Sequence, residues 1–323
     1  MLIDGLGRHI SYLRLSVTDR CDLRCTYCMP EGFQSDDEPR EWLSFDELER
    51  LAGLFARQGV ERIRLTGGEP LLRRNLPELA ARLAAVPGIR DLSLSTNGTR
   101  LAACAEDLRR AGVTRLNVSL DSLDRARVQS IARRDVLPQI LDGLEAARGL
   151  GFRQIKINMV ALPDTAHEEI EAMAGYCMAR GFILRLIETM PVGQSGRNAG
   201  FIDLRPVMQR MRAQFGLIDG VVPGGGPARY LVSPDRKFQI GFITAISQHF
   251  CDTCNRIRLA ANGTLHLCLG RDEAVDFRQL MRSGRSDAEI LAALQAGLAH
   301  KPARHDFGNT QHRVIRMMSA TGG

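Results

Sequence analysis

The sequence predicts an α/β fold in which six βα units form a partial barrel and a smaller C-terminal extension follows. Between residues 10 and 188, six short β-like runs alternate with stretches of helical periodicity. Such alternation is typical of a parallel sheet covered by helices on its outside. Six units within roughly 180 residues fit a partial TIM-type barrel better than a closed barrel of eight strands. After Met190-Pro-Val-Gly the alternation stops, and a Gly- and Pro-rich stretch follows at residues 222–227.

Each element is indicated by a local signal. The predicted strands span residues 10–17, 62–66, 91–96, 115–120, 154–160 and 183–188, and a later β-like run spans 238–244. Two helices are expected to begin with capping boxes, at Ser44-Phe-Asp-Glu47 and at Thr165-Ala-His-Glu168, and Pro138 heads another apolar-periodic stretch. We expect a barrel in residues 1–200 and a C-terminal domain in residues 201–323, with the chemistry at the carboxyl ends of the strands.

The composition is that of an ordinary soluble globular protein. Of the 323 residues, 44% are hydrophobic and 25% are charged. No apolar run approaches the ~18 residues that span a bilayer, and the first residues carry acid and base where a signal peptide needs an apolar stretch. A net charge of +6 suits a phosphorylated ligand but is too scattered to indicate nucleic acid. We therefore expect a cytoplasmic protein with neither membrane nor nucleic-acid partners.

Six of the eight cysteines fall into two groups of three. In a reducing compartment such groups indicate metal rather than disulfides. The first group, Cys21-Asp-Leu-Arg-Cys25-Thr-Tyr-Cys28, directly follows the first predicted strand. Three thiolates can hold three irons of a 4Fe-4S cluster and leave one iron open, as a catalytic metal site requires. A zinc knuckle is the alternative, but zinc needs a fourth Cys or His nearby, and the next several residues contain neither.

The C-x3-C-x2-C spacing, with an aromatic residue before the last cysteine, resembles the radical S-adenosylmethionine (SAM) superfamily. Thr66-Gly-Gly-Glu69-Pro70, at the end of the second predicted strand, supports this resemblance. There the glycines allow close backbone approach, and Glu69 could accept a hydrogen bond from the ammonium of SAM. The resemblance implies that SAM binds the open iron, that one electron cleaves it, and that the resulting 5′-deoxyadenosyl radical removes hydrogen from the substrate.

The second group, Cys251, Cys254 and Cys268, has C-x2-C-x13-C spacing and again leaves one iron open. With it the resemblance narrows, over almost the full length, to the GTP 3′,8-cyclase family of molybdenum cofactor biosynthesis. The motifs that carry this resemblance are Leu13-Arg14-Leu-Ser-Val-Thr-Asp-Arg-Cys21, Arg64-Leu-Thr-Gly-Gly-Glu-Pro, Ser95-Thr-Asn-Gly98, Asn117-Val-Ser-Leu-Asp121, Lys156-Ile-Asn, Phe250-Cys-Asp-Thr-Cys-Asn-Arg-Ile-Arg258 and Gly322-Gly323.

The family resemblance implies a role for each matching position. It implies that Cys21, Cys25 and Cys28 hold the cluster that cleaves SAM, with Tyr27, Gly68, Glu69, Ser119 and Met190 around SAM, and that Cys251, Cys254 and Cys268 hold a second 4Fe-4S cluster beside guanine. GTP would be bound by Arg14, Arg64, Ser95, Lys156, Arg256, Ile257 and Arg258. Arg256, Arg258 and the tail residues Gly322 and Gly323 would assist catalysis. Arginines suit this task because they form charge-assisted pairs with phosphate.

The resemblance also implies a homodimer, an external one-electron donor, and transfer of the product to the next enzyme of the pathway, cyclic pyranopterin monophosphate synthase. Two other functions stay open on the sequence: a radical SAM enzyme that modifies peptides, and an iron-sulfur electron carrier. A carrier would favour closed sites of four cysteines. Packing or surface positions are expected for Cys104, Cys177, His249, His266 and Trp42, and the glycines at 224–226 read as a mobile connection rather than a phosphate loop.

Overall fold

The computed structural model describes residues 1–33, 41–308 and 314–322. Its barrel wall is formed by the six parallel strands that the sequence predicts, within a few residues at each end. These strands are β1 (Tyr12–Ser16), β2 (Arg62–Thr66), β3 (Asp91–Thr96), β4 (Arg115–Ser119), β5 (Gln154–Ala161) and β6 (Ile183–Glu188). The predicted α/β fold with a partial barrel is therefore confirmed.

Helices connect these strands and cover the outside of the sheet. The connecting helices are α1 (Phe45–Arg57), α2 (Leu76–Ala84), α3 (Leu101–Arg110), α4 (Arg125–Ala132), α5 (Leu137–Arg148) and α6 (His167–Arg180). Side chains alternate along each strand, so every second residue enters the apolar layer beneath the helices. Leu13, Leu15, Ile63 and Leu65 lie in that layer with at most 1% of their surface exposed. The intervening residues of the same strands face the interior of the barrel, where polar residues predominate.

The C-terminal segment extends the sheet at both edges. Its elements are α7 (Gly193–Asn198), α8 (Leu204–Phe215), β7 (Ile218–Gly220), β8 (Arg229–Val232), β9 (Gln239–Ile243), β10 (Arg256–Leu259), β11 (Thr264–His266), β12 (Ala274–Asp276), α9 (Phe277–Arg282), α10 (Asp287–Ala299) and α11 (Met318–Thr321). Strand β9 pairs in parallel with β6, and β10 pairs in parallel with β1. In the described residues the sheet order is β12-β11-β10-β1-β2-β3-β4-β5-β6-β9-β8-β7. One continuous sheet thus crosses the expected boundary at residue 200, and that division stays a prediction.

One of the two predicted capping boxes is confirmed. Ser44 caps α1, since its hydroxyl accepts from the Glu47 amide and Glu47 accepts from the Ser44 amide. The box expected at residues 165–168 is wrong, because α6 begins one residue later. There Glu169 accepts from the amide of Ala166, which has no side-chain oxygen to complete the box, and the Thr165 hydroxyl accepts from the Leu162 amide instead.

The remaining sequence expectations concern packing. Cys104 and Cys177 lie on helices, half-buried and buried respectively, and Trp42 is buried with the Arg73 guanidinium 4.8 Å from its ring centroid. The triple glycine does connect β7 to β8. It also lies close to the barrel, since a Cβ on Gly224 would stand 2.4 Å from the Arg115 guanidinium. No described helix is long and apolar enough to cross a membrane.

Candidate active site

The first cysteine group lies in the loop after β1, supported by the turn after β2. The amide of Gly68 donates to the Thr18 carbonyl at 2.9 Å, and that of Glu69 donates to the Arg20 carbonyl at 2.7 Å. A Cβ on Gly67 would lie 2.3 Å from the Thr18 carbonyl oxygen. On Gly68 it would lie 2.2 Å from that of Arg20. The two glycines are therefore needed so that this turn can hold the chain leading into Cys21.

The cysteines of this loop are half-buried, and backbone amides point at two of their thiols. The Leu23 amide donates to Cys21 Sγ at 3.4 Å, and the Ser319 amide donates to the Cys28 thiol. Burial raises the pKa of Cys21 to about 12 and that of Cys28 to about 11, and holds the pKa of Cys25 well above its usual range. Amide donors to sulfur are characteristic of iron-sulfur sites, where they tune the cluster. This donor set fits a cluster that supplies the positive charge the thiolates need.

To bind a single metal ion, at least three ligand side chains would have to converge on one point. Among residues 1–33, 41–308 and 314–322, no three His, Cys, Asp or Glu side chains are grouped in that way. The ligands of a 4Fe-4S cluster differ from such a set, because each thiolate binds a different iron.

Behind Cys25 lies a cavity that brings together predicted and unpredicted residues. Tyr27 and Ser119, both expected near SAM, line it together with Asp121, and much of the rest is apolar. The Tyr27 hydroxyl donates to Asp121 Oδ2 at 2.8 Å, and Asp121 Oδ1 accepts from the Val160 amide at 2.8 Å. Burial raises the pKa of Asp121 to about 6. Asp121 thereby holds the Tyr27 side chain in the lining of the cavity.

Glu69 joins the ends of β2 and β3. It is fully buried, and its carboxylate accepts from the Thr96 hydroxyl at 2.7 Å, the Asn97 amide at 2.6 Å and the Leu71 amide at 3.0 Å. Burial raises the pKa of Glu69 to about 7, although these donors lower it in part. Its carboxylate is thus held at the same end of the barrel as the first cysteine group, where its expected contact with SAM stays a prediction.

The inner face of the barrel carries closely spaced cations. Arg258, Arg14 and Arg64 occupy matching register positions on β10, β1 and β2. Burial, together with the charges of Arg258 and Arg64, holds the pKa of Arg14 well below its usual range. Burial also lowers the pKa of Arg258 to about 10. Like charges that crowd inside a protein are costly, and an anion bound among them would reduce that cost.

Further cations complete this inner face. Lys156 on β5 is 5% exposed, and burial, with Arg185, Arg115 and Arg64, lowers the pKa of Lys156 to about 6. The strand register places Lys156 on the same face of the sheet as Arg64, since Arg64 lies opposite Ser93 and Lys156 lies opposite Asn117 and, through it, Ser95. Burial lowers the pKa of Arg185 to about 10. Sequence reasoning missed Arg185 and Arg115, although each alternates with apolar residues along its strand. Arg115 is paired with Asp91, which neutralises it in part.

Two hydroxyls on this inner face have no protein partner in the described residues. They are Ser95 Oγ and Tyr12 Oη, and both atoms are buried. Ser95 lies opposite Asn117, which in turn lies opposite Lys156. A buried hydroxyl without a partner is costly unless a ligand supplies one.

The second cysteine group lies at the other end of the barrel. Residues 251 and 254 border a 3-10 turn just before β10, and Cys268 follows β11. Because β10 is parallel to β1, its start lies opposite the end from which the first cysteine loop emerges. The second cysteine group therefore does not lie at the carboxyl ends of the barrel strands, where the sequence leads us to expect the chemistry. The second group lies at the opposite end because its first two cysteines precede the parallel strand β10, whereas the first group follows β1.

The electrostatics of the second group favour a thiolate at Cys254. Burial raises the pKa of Cys254, but Arg256 and Lys301 outweigh it and lower the pKa to about 7. Arg256 Nη2 lies 3.8 Å from Cys254 Sγ. Burial raises the pKa of Cys251, to whose thiol the His305 amide donates. This set of thiols, cations and an amide donor also fits an iron-sulfur cluster.

The C-terminal tail enters the barrel. Gly322 has φ +73°, and a Cβ there would lie 2.2 Å from Thr66 Cγ2. Arg258 Nη1 donates to the Gly322 carbonyl and, at 3.4 Å, to that of Thr321, which is fully buried. Gly323, the other predicted tail residue, lies outside the described residues.

Comparisons with known proteins agree along the whole chain. The model of the Radical SAM superfamily matches residues 15–177, and that of Molybdenum Cofactor Synthesis C matches residues 182–307. GTP 3′,8-cyclase 1 of Pseudomonas aeruginosa is 44% identical over 99% of each chain. The GTP 3′,8-cyclase of Erythrobacter litoralis is 46% identical over 100% of this chain and 98% of its own. The chain belongs to the GTP 3′,8-cyclase family.

Membership of this branch of the radical SAM superfamily implies a 4Fe-4S cluster and SAM. Among solved structures, SuiB of Streptococcus suis bound to S-adenosylmethionine has a TM-score of 0.66 at 14% identity, over 90% of this chain and 68% of its own. SuiB bound to its precursor peptide SuiA also has a TM-score of 0.66 at 14% identity, over 97% and 76%. At such low identity the likeness shows a shared fold alone.

Most positions expected from the GTP 3′,8-cyclase resemblance share the barrel interior or its ends. The predicted GTP-binding residues on the inner face are Arg14, Arg64, Ser95, Lys156, Arg256 and Arg258. Ile257 alternates with two of them, so its fully buried side chain lies in the apolar layer instead. Gly68 and Met190 follow β2 and β6 at the same end as the first cysteine group, but they do not line the cavity at Tyr27.

Proposed function

We propose that this chain is a lyase that converts GTP to (8S)-3′,8-cyclo-7,8-dihydroguanosine 5′-triphosphate in molybdenum cofactor biosynthesis. The observation that carries the proposal is a barrel lined with cations, with one cysteine group at each end. Family membership over the full chain supports the reaction. A triphosphate is a polyanion that matches the charge of such an interior.

The triphosphate is held by Arg14, Arg64 and Lys156, with Ser95 as a hydroxyl donor. Arg185 extends this set, since it lies near Lys156 and carries no carboxylate partner in the described residues. An arginine guanidinium can donate two parallel hydrogen bonds to the oxygens of one phosphate, and this bidentate contact orients the attached ribose. Binding energy from the phosphates is thus used to place the ribose and guanine for reaction.

The first cysteine group, Cys21, Cys25 and Cys28, would hold the cluster that binds SAM. Together with SAM, that cluster would supply the hydrogen-abstracting radical chemistry that is needed to join ribose C3′ to guanine C8. Around SAM we place Tyr27, Gly68, Glu69, Ser119 and Met190. The hydrogen bond from Tyr27 to Asp121 orients the aromatic ring beside the cofactor, and the apolar wall of the cavity excludes water.

The second cysteine group, Cys251, Cys254 and Cys268, would hold a second 4Fe-4S cluster, which would supply a binding site for guanine. Arg256 and Arg258 project inward from the strand that begins at this group. They are therefore suited to assist the final reduction or protonation of the product. Gly322 and Gly323 complete the site from the tail, with the Gly322 carbonyl on Arg258. Because the Ile257 side chain is buried in the apolar layer, only the backbone of Ile257 would contact GTP.

The reaction needs partners beyond GTP. We propose an external one-electron donor, a cytoplasmic location and a homodimeric assembly. The product would pass to cyclic pyranopterin monophosphate synthase as the next enzyme. These proposals follow from the family resemblance stated for the sequence.

The test is anaerobic turnover of the reconstituted protein with dithionite, SAM and GTP, followed by mass spectrometry. We expect 5′-deoxyadenosine together with a cyclised nucleotide that has the mass of GTP. Deoxyadenosine without a change in GTP would keep the radical chemistry and reject the substrate, as a peptide-modifying enzyme would show. Reversible reduction without cleavage of SAM would indicate an electron carrier instead.

A further inference from the structure

Lys301 is a buried cation behind the second cysteine group. It is 4% exposed and lies just after α10. Its Nζ donates to the carbonyl of Arg256 at 3.0 Å and to that of Leu267. Arg256 lies two residues after Cys254, and Leu267 directly precedes Cys268. Lys301 therefore connects the two chain segments that carry these cysteines.

Two other cations hold the same site, and each has a carboxylate partner. Arg8 donates to the Cys251 carbonyl at 2.9 Å and pairs with Asp4 at 2.6 Å. Arg316 donates to the Cys268 carbonyl at 2.9 Å and pairs with Asp272 at 2.6 Å. In contrast, no carboxylate in the described parts of the chain forms an ion pair with Lys301.

The charges around Lys301 show what could neutralise it. Burial lowers the pKa of Lys301, the thiolates of Cys254 and Cys268 raise it, and Arg8 and Arg256 lower it further. A buried ammonium without an anion costs several kcal/mol. Three thiolates outweigh the charge of an oxidised 4Fe-4S core, so a cluster on this cysteine group is anionic and becomes more so on reduction.

We propose that Lys301 is the counter-charge of an iron-sulfur cluster on Cys251, Cys254 and Cys268 and raises the reduction potential of that cluster. This inference rests on the proposed function, which assigns a second cluster to these cysteines. A fixed positive charge stabilises the reduced cluster more than the oxidised one, so the potential is higher with Lys301 than without it. Lys301 acts through the cluster and does not touch GTP.

The test is a redox titration, followed by electron paramagnetic resonance, of the reconstituted full chain and its variants. Lys301→Gln retains an N–H donor for the carbonyls but loses the charge, whereas Lys301→Arg retains the charge. We expect Lys301→Gln to lower the potential of the second cluster, Lys301→Arg to stay near the unsubstituted protein, and the first cluster to be unaffected. Lys237→Gln, at a side chain 85% exposed, is the matched control and should change neither potential.

The two variants separate the effect of the Lys301 charge from the effect of the Lys301 side-chain shape. An unchanged potential in Lys301→Gln would overturn the proposal. If Lys301→Gln binds only half of the iron while Lys301→Arg binds all of it, the requirement for charge is supported. Loss of the second cluster from both variants would refute the electrostatic role, since one of them keeps the charge. If the unsubstituted chain binds only about four irons, the two-cluster function itself fails before any variant is compared.

Discussion

At the scale of single residues, Lys156 is a buried cation that lowers the stability of the ligand-free fold. Its pKa is lowered to about 6, chiefly by burial and then by neighbouring arginines. In the unfolded chain a lysine has a pKa of about 10.4. Between these pH values the unfolded chain binds a proton that the folded chain does not. The free energy of unfolding therefore rises with pH across this window, and at neutral pH Lys156 destabilises the empty barrel.

Replacing Lys156 with Met should remove this penalty. We expect the melting temperature of the ligand-free protein to rise by several degrees at pH 7, with a smaller gain as the pH approaches 10. Affinity for GTP should fall about 10- to 100-fold, because a charge-assisted bond to phosphate is lost. Thermal unfolding and calorimetric titration measure the two effects. Lys237→Met, at an exposed lysine, should change neither, and a fall in melting temperature at Lys156 would contradict the account.

The same lysine predicts proton uptake on binding. With a pKa of about 6, Lys156 is mostly neutral in the empty site at pH 7. A bound triphosphate raises that pKa, so GTP should bind together with a proton. Calorimetry in two buffers of different ionisation enthalpy measures the uptake. Equal apparent enthalpies in the two buffers would show that Lys156 is already charged, and Lys156→Met should reduce any uptake that is seen.

At the scale of elements, the C-terminal tail is placed by one glycine. Gly322 combines a positive φ of +73° with a Cβ position 2.2 Å from Thr66. Gly322→Ala should displace the tail from Arg258 and reduce cyclised product on the order of 100-fold, the cost of a small misplacement in an active site. Product and 5′-deoxyadenosine are measured together, and melting temperature shows whether the fold is intact. Deletion of residues 322–323 should have the same effect.

A matched glycine separates the collision from backbone strain. Gly284 has φ +76°, yet a Cβ there meets nothing within 4 Å. Gly284→Ala therefore carries similar strain without the collision, and should leave turnover unchanged while lowering stability slightly. Equal turnover in Gly322→Ala and the unsubstituted protein would show that the position of the tail does not matter for the reaction.

Strands with local patterns were predictable, whereas their long-range pairing was not. Alternation of apolar and polar residues located β1 to β6, and also the run at 238–244 that forms β9. Nothing local indicates that β9 and β10 join opposite edges of the barrel sheet, because that pairing depends on residues far apart in the chain. The start of α6 was predicted one residue early, since a threonine in a loop can serve its own turn instead of the helix.

In the candidate site, too, features with a local sequence pattern were predictable and those that depend on distant contacts were not. The cysteines and inward arginines of the motifs were predicted, and alternation alone would have placed Ile257 on the face opposite Arg256 and Arg258. Asp121 stood in a quoted motif but gained a role only from its bond to Tyr27. Lys301 gives no signal in the sequence, because its proposed role depends on hydrogen bonds to the carbonyls of two distant segments.

At the scale of the whole molecule, the barrel separates two cysteine groups that the sequence presents as similar. The first follows β1, and the second precedes the parallel strand β10, so each lies at a different end. The cations between them line the path from one end to the other. This arrangement suits a reaction in which SAM is cleaved at one end while the substrate is held from the other.

Because the two cysteine groups lie at opposite ends of the barrel, we expect substitutions in each group to cause different catalytic defects. Cys25→Ser should abolish 5′-deoxyadenosine and cyclised product alike, because the cluster that binds SAM is lost. Cys254→Ser should still form 5′-deoxyadenosine, but without cyclised GTP, and each variant should bind about half the iron of the unsubstituted protein. Cys104→Ser, a half-buried cysteine outside both groups, is the control and should retain iron and turnover. Normal cyclisation by Cys254→Ser would contradict a role for the second group, because then one end of the barrel would be sufficient for the reaction.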